Sequence, residues 1–176
     1  MTSRVVHRGR SIVVCVDEVV LPNGHRVELD VVRHPGAAAV VPFVSPSDVL
    51  LIHQFRHAAG GTIWEVPAGK LDGDAPDVCA RKELEEEAGR RAGRLEKLGS
   101  IWTTPGFSDE VIHLFAAFEL EEVPQRHEPD EVIRVVELPL ARALEMVLDG
   151  ELRDAKSALA LFHAAVRVGL LAPRPA

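Results

Sequence analysis

Apolar and β-branched runs separated by short polar turns fill the first half of the chain and predict a strand-rich body. Residues 11–34 form two such runs around Pro-Asn-Gly at 22–24, a tripeptide typical of a hairpin turn. The runs at 37–44 and 48–57 are short and largely apolar, as expected for buried strands. A further run at 61–69 predicts one more short strand.

Helical patterns are fewer and lie mostly towards the C-terminus. An acidic segment at 74–89 and two segments at 140–150 and 155–169 each end in glycine and predict helices. The intervening segments predict strands at 94–104, 110–120 and 132–138. This mixed order favours an α+β or α/β architecture over a doubly wound parallel sheet.

Composition narrows the class of protein. The 176 residues, 47% hydrophobic and 27% charged, suit one globular domain with a small appendage. A net charge of −7 argues against nucleic acid or an anionic membrane as the main partner. It permits an anionic substrate, because a bound divalent cation can reverse the local field.

Cysteine usage and hydropathy bear on the compartment. Cys15 and Cys79 lie far apart without CxxC spacing, which predicts reduced thiols. No apolar stretch approaches the roughly 18 residues of a membrane span, and the first residues lack the apolar core of a signal peptide. We therefore expect a cytoplasmic protein.

The acidic segment concentrates glutamates on one face of its predicted helix. Asp74 is the expected N-cap and Gly89 the C-terminal stop. Glu83, Glu86 and Glu87 fall at i, i+3 and i+4 and therefore share a face. Three carboxylates held together are costly unless a cation neutralises them, and oxygen ligands of this kind suit Mg²⁺ or Mn²⁺.

The rest of this helix has a buried side and an outer side. Glu85 should point away towards solvent. The stripe expected to face the core consists of Ala80, Leu84 and Ala88. The helix pattern alone also allows a solvated acidic face, balanced by Arg81, Lys82 and Arg90.

Residues 69–89, GKLDGDAPDVCARKELEEEAG, resemble the Nudix box: Gly, five residues, Glu, seven residues, Arg-Glu, an apolar residue, any residue, Glu-Glu, any residue, Gly and an apolar residue. Gly69 matches the first glycine. The second half is matched, with correct internal spacing, by Glu83, Leu84, Glu86, Glu87 and Gly89. The resemblance implies a divalent-metal site with Glu83, Glu86 and Glu87 as ligands.

The box departs from the family pattern at three positions. Asp74 stands where the family has Glu, and the loop before it is one residue short. Lys82 replaces Arg, which keeps the charge but loses the planar fork that binds a carboxylate at two points. Arg90 occupies an apolar position. These departures bear on the placement of the helix and therefore on rate.

Beyond the box, segments 54–72, 104–117 and 148–161 resemble Nudix ADP-ribose pyrophosphatases, so that similarity covers about residues 37–168. The resemblance implies an α+β fold, the Nudix α/β/α sandwich with a mixed sheet, over residues 37–176. It also implies a small N-terminal antiparallel β-domain at 1–36, through which these enzymes form intertwined homodimers.

The same resemblance assigns individual residues. In this subfamily the carbonyl oxygen that Ala68 would supply ligates metal. Arg56 would face phosphate or base and Glu65 metal or ribose, although both could be solvated charges at strand ends. The loop over the terminal ribose corresponds to Ser108, Asp109 and Glu110, which could also be an ordinary turn. Trp64 and Trp102 are read as core or interface aromatics rather than adenine stackers.

A catalytic base is expected on the loop 125–135, because in the subfamily a glutamate of a mobile loop after the box orients or deprotonates the attacking water. Glu128, Asp130 and Glu131 are the candidates. Glu131 directly precedes a predicted strand and is favoured over Glu128, which Pro129 holds in an extended backbone. The remaining possibility is a glutamate of the box, such as Glu86.

The expected function is Mg²⁺-dependent hydrolysis, with Mn²⁺ possible, of a nucleoside diphosphate linked to another moiety. ADP-ribose, cleaved to AMP and ribose 5-phosphate, is the first choice. A nucleotide sugar such as GDP-mannose is the alternative substrate. A non-catalytic nucleotide-binding module is the alternative of another class, against which the intact Glu83, Glu86 and Glu87 argue.

Overall fold

Residues 2–127 and 132–172 are described by the computed structural model, and their elements follow the alternation of runs along the chain. The strands are β1 (Thr2–Arg8), β2 (Val13–Val20), β3 (Arg26–Arg33), β4 (Ala37–Pro42), β5 (Asp48–Arg56), β6 (Gly61–Glu65), β7 (Ala68–Lys70), β8 (Arg90–Trp102), β9 (Val111–Glu122) and β10 (Ile133–Pro139). The helices are α1 (Pro76–Ala88), α2 (Leu140–Leu148) and α3 (Ala155–Arg167), with a 3₁₀ turn at His57–Ala59. No helix in these ranges is long and apolar enough to cross a membrane.

The N-terminal residues form a three-stranded antiparallel sheet in the order β1-β2-β3. The predicted hairpin is β2 and β3, and Gly24 adopts a φ of 87° at its turn, a conformation that favours glycine. β1 was not predicted, because its sequence, TSRVVHR, is short and rich in polar residues, and all seven positions are exposed. Gly36 then separates this sheet from β4.

Two further sheets make up the body. β7-β4-β9-β8 is mixed, since β4 runs parallel to β9 while its other pairings are antiparallel. β10-β5-β6 is antiparallel throughout. The predicted mixed sheet is therefore confirmed.

Alternate residues of β4 face two different layers, which is why the whole strand is apolar. Ala38 and Val40 pack with the buried side of α1. Ala39 and Val41 pack with α2 and α3 on the opposite face. A sheet with helices on both faces is the predicted α/β/α sandwich, and the α+β class is confirmed.

Helix α1 differs from its prediction at one end. Its N-cap is Ala75, without a side-chain cap, and Pro76 opens the helix, so the prediction of Asp74 as N-cap is wrong. The backbone N–H of Asp74 instead bonds to the carbonyl of Leu71 in the preceding turn. Gly89 ends the helix with a φ of 62°, as predicted.

Candidate active site

A cavity of about 1190 Å³ opens between the first residues of α3, the acidic face of α1 and the ends of β5 and β6. It brings together seven of the predicted site residues: Arg56, Glu65, Ala68, Glu83, Glu86, Glu87 and Glu110. Such a volume is sufficient for a nucleotide-sized ligand.

The position of α1 is set by contacts between its glutamates and β7. Glu87 is 2% exposed, and its Oε2 accepts a hydrogen bond of 2.8 Å from the backbone N–H of Ala68. The carboxylate of Glu83 lies against Gly69: a Cβ at Gly69 would come within 2.1 Å of Glu83 Oε1. Glycine is therefore required here by the close approach of a side chain rather than by a turn.

Glu86 and Glu85 point in different directions from the same helix. Glu86 lines the cavity, with Lys82 Nζ 3.9 Å from its Oε2. Glu85 does not line it and accepts a hydrogen bond of 2.8 Å from Arg91 Nε. The guanidinium of Arg91 lowers the pKa of Glu85. Glu85 thus points away from the cavity, as predicted. It faces not only solvent but also Arg91 of β8, with which it pairs.

The thiol of Cys79 ties α1 to β7 from the buried side. Its Sγ lies 3.5 Å from the carbonyl oxygen of Gly69 and 3.3 Å from that of Lys70. Burial, together with the charge of Glu83, raises the pKa of the Cys79 thiol to about 11. Cys79 is therefore a neutral donor that packs the helix against the backbone next to Ala68.

Glu65 faces the same cavity from β6 and is paired with two cations. Arg56 Nε and Nη2 lie 2.9 and 2.8 Å from its Oε2, and Lys156 Nζ lies 2.8 Å from its Oε1. Glu65 is 3% exposed. The alternative that Glu65 is a solvated strand-end charge is therefore wrong, while Arg56 keeps 40% of its side chain exposed.

Lys156 is a cavity residue that the sequence interpretation missed. It is the second residue of α3, whose N-cap Asp154 accepts a hydrogen bond from the backbone N–H of Ser157. Asp154 also binds Lys156 Nζ at 2.9 Å, which aims the ammonium at Glu65. The signal in the sequence was a cation two residues after Asp154, the residue that caps α3.

The loop before β9 is divided between the cavity and the N-terminal sheet. Glu110 lines the cavity and accepts from Thr103 Oγ1 at 2.8 Å. Asp109 instead accepts from Arg33 Nη1 and from the backbone N–H of His34. Ser108 Oγ accepts from the backbone N–H of Glu110. Ser108 and Asp109 thus connect the loop to β3 and do not line the cavity.

The two tryptophans occupy different environments. Trp64 packs against the core, with its ring centroid 4.4 Å from that of His53, as predicted. Trp102 is 69% exposed and lines the cavity, so it is not a core residue of this chain. The physical reason is its position at the last residue of β8, beyond the covered part of the sheet.

The donor set of the cavity fits a hard divalent cation. Glu83, Glu86, Glu87 and the residue Ala68 all border the same space and supply oxygen atoms. Within residues 2–127 and 132–172, no group of three acidic, histidine or cysteine side chains is arranged closely enough to hold a metal ion as it stands. The candidate bases Glu128, Asp130 and Glu131 lie outside the described residues.

Comparison with known proteins decides the family. The NUDIX domain profile matches residues 33–161, most of the chain. The chain belongs to the Nudix family. Members of this family generally depend on a divalent metal. An ADP-ribose pyrophosphatase of Bacillus subtilis is 38% identical over 96% of this Nudix chain and 93% of its own.

Two further relatives bear on the range of the family. A GDP-mannose pyrophosphatase of Cronobacter sakazakii is 40% identical over 81% of this chain and 83% of its own. A crystal structure of an ADP compounds hydrolase superposes with a TM-score of 0.84 over 96% of this chain and 92% of its own, at 22% identity. That likeness shows the shared Nudix fold.

Proposed function

We propose that this Nudix hydrolase cleaves the diphosphate of ADP-ribose, giving AMP and ribose 5-phosphate. The observation that carries the proposal is the cavity in which the acidic face of α1 meets Arg56 and Lys156. A relative that aligns over 96% of this chain is an ADP-ribose pyrophosphatase. Water supplies the oxygen that bonds to one phosphorus, while the bond from that phosphorus to the bridging oxygen breaks.

The metal would be held by Glu83, Glu86, Glu87 and the carbonyl oxygen of Ala68. When bound, Mg²⁺ (or Mn²⁺) would offset diphosphate charge and lower the pKa of a water molecule. The hydrogen bond from the Ala68 N–H to Glu87 fixes that carboxylate against β7. Close packing against Gly69 does the same for Glu83.

The substrate would be held by cations on the opposite wall of the cavity. Arg56 is oriented by Glu65, while 40% of its side chain stays accessible to a phosphate oxygen. Glu65 would in this way position Arg56, and Glu110 would receive a ribose hydroxyl at the cavity edge. Ser108 and Asp109 would act on substrate through their hold on the loop that carries Glu110.

For the base we propose Glu131 first, Glu128 second and Glu86 third, as the loop position after the box favours. Glu131→Gln and Glu128→Gln should lower kcat while metal affinity, measured by calorimetry, stays nearly intact. Full kcat in both variants across pH 6 to 9 would place the base among the box glutamates.

A turnover assay with Mg²⁺ over ADP-ribose, GDP-mannose, NADH and a dinucleoside polyphosphate tests the function. We expect the highest kcat/KM with ADP-ribose and no turnover after chelation of the metal. GDP-mannose is the second candidate, because the Cronobacter relative carries that name. Binding without turnover of any of the four would instead support a sensor module.

We further propose that residues 1–36 form a dimerisation domain and residues 37–176 the hydrolase domain. Supporting this, Val5, Val6, Val20 and Leu29 of the N-terminal sheet are exposed apolar residues. Deletion of residues 1–36 should cause aggregation or inactivity. A stable, fully active monomer of the intact chain in sedimentation at micromolar concentration would contradict the dimer. The buried, free Cys15 and Cys79 fit a reducing compartment such as the cytoplasm.

A further inference from the structure

Gln54 has a buried acceptor that nothing in the catalytic assignment uses. The residue is 4% exposed and borders the cavity. Its Oε1 has no hydrogen-bond partner among the residues that the structure describes. Buried polar atoms of this kind are rare, because an unmade hydrogen bond is costly in the folded state.

A second unpartnered buried atom in the described residues shows what is specific about Gln54. Nδ1 of His113 on β9 is also without a partner, but His113 does not border the cavity. Burial and the charge of Lys97 lower the pKa of His113. Gln54, in contrast, is one of the residues that line the cavity, so its buried oxygen lies at the border of the substrate space.

The strand register places Gln54 beside the groups that would bind phosphate. Gln54 and Arg56 are two residues apart on β5 and so lie on the same face of the sheet. Glu65 pairs with Ile52 across the strands, which puts its carboxylate on that same face. Both oxygens of Glu65 already accept from Arg56 and Lys156.

The chemistry of Oε1 limits what it can recognise. A carboxamide oxygen only accepts hydrogen bonds, and phosphate oxygens at neutral pH also mainly accept, so the two do not pair. The donors of a nucleoside diphosphate sugar are its sugar hydroxyls and the N–H groups of its base. Hydroxyls lie next to the diphosphate, and the base lies farther from the cations.

We propose that Gln54 Oε1 accepts a hydrogen bond from a ribose hydroxyl adjacent to the diphosphate. This inference rests on the proposed function, because it assumes a nucleoside diphosphate in the cavity. The substrate then supplies the hydrogen bond that Gln54 Oε1 lacks. Gln54 is a specificity residue that selects substrates with the hydroxyl over deoxy analogues.

Binding of the non-hydrolysable α,β-methylene analogue of ADP-ribose, measured by calorimetry, tests Gln54 separately from turnover. Gln54→Met keeps the side-chain length and removes the acceptor. It should weaken binding about tenfold, the usual effect of losing one neutral hydrogen bond. Gln54→Glu keeps an acceptor at the same place and serves as the second variant.

Deoxy analogues identify the partner atom. One analogue will lack the 2′- or 3′-hydroxyl, on either ribose, that Gln54 recognises. That analogue should bind the unmodified protein and Gln54→Met equally well, and the double-mutant cycle then identifies the hydroxyl as the partner of Gln54. The ligand-free Tm of Gln54→Met should stay level or rise, because an unsatisfied buried atom is removed.

Three results would overturn the inference: equal binding of the parent analogue by both proteins, a tenfold loss that persists with every deoxy analogue, or a lower ligand-free Tm for Gln54→Met. Lack of binding by the unmodified protein would also overturn it. If the unmodified protein binds the analogue but does not hydrolyse ADP-ribose, the proposed function fails while the binding cycle still decides the role of Gln54.

Discussion

Glu65 of β6 and Glu87 of α1 are similarly buried glutamates that border one cavity, yet the fold holds them in different ways. Glu65 is paired with two full positive charges, Arg56 and Lys156. Glu87 accepts a hydrogen bond from a backbone N–H, which supplies a dipole, and it shares a helix face with Glu83 and Glu86.

The difference indicates two roles for the same side chain. A carboxylate whose charge is balanced inside the fold is suited to orient its partners, here Arg56 and Lys156. A group of carboxylates held in fixed positions on one helix face is suited to bind a cation that arrives from solution. The predictions below separate these roles.

The largest effect is expected on the helix wall. Glu86→Gln and Glu87→Gln should each lower kcat at least about 10²-fold, with a smaller change in KM, because each removes a charge that supports the metal. Glu85→Gln on the same helix is the control and should keep near-normal kcat, since Glu85 binds Arg91 instead. Near-normal turnover of both test variants would end the metal-site interpretation.

A smaller effect should follow from Gly69→Ala. The added Cβ would displace the carboxylate of Glu83, which is the far end of a flexible side chain, so Tm should barely change. Metal affinity should fall about tenfold, as for other changes that misplace a ligand. Gly61→Ala is the control, because open space surrounds that position. Unchanged metal affinity in a calorimetric titration would show that Glu83 does not need its place beside Gly69.

The smallest effect on metal binding is expected on the Glu65 side of the cavity, where the change should be in stability instead. Lys156→Met removes one of two cations, so unfolding free energy should drop by about 1–3 kcal/mol, since Arg56 still pairs with the buried carboxylate. Adding Glu65→Gln should recover part of that loss. Lys70→Met, which breaks only the exposed pair with Asp72, should stay within about 0.5 kcal/mol. Lys156→Met should leave metal affinity unchanged. A changed metal affinity would show that the Glu65 side of the cavity and the glutamates of α1 are not independent.

Local sequence determined the elements and the helix face. The apolar runs predicted β2 to β5, but they predicted one strand at 61–69, where the structure has two, β6 and β7, in different sheets. The spacing of Glu83, Glu86 and Glu87 placed three carboxylates together because helical periodicity is a short-range property. The box resemblance extended this to the family, which the profile match confirms. The N-cap at Asp74 failed because a proline at the first helical position sets the start one residue later.

Only the tertiary structure decided what lies opposite that helix face. Lys156 and Glu65 are 91 residues apart in sequence, and no local pattern relates them until the first turn of α3 meets the end of β6. The same holds for Gln54, an ordinary strand residue by sequence, whose unpartnered oxygen has meaning only once the cavity encloses it. Sequence periodicity determines which side chains share a surface, whereas burial and long-range pairing determine which charges are balanced and which atoms await a ligand.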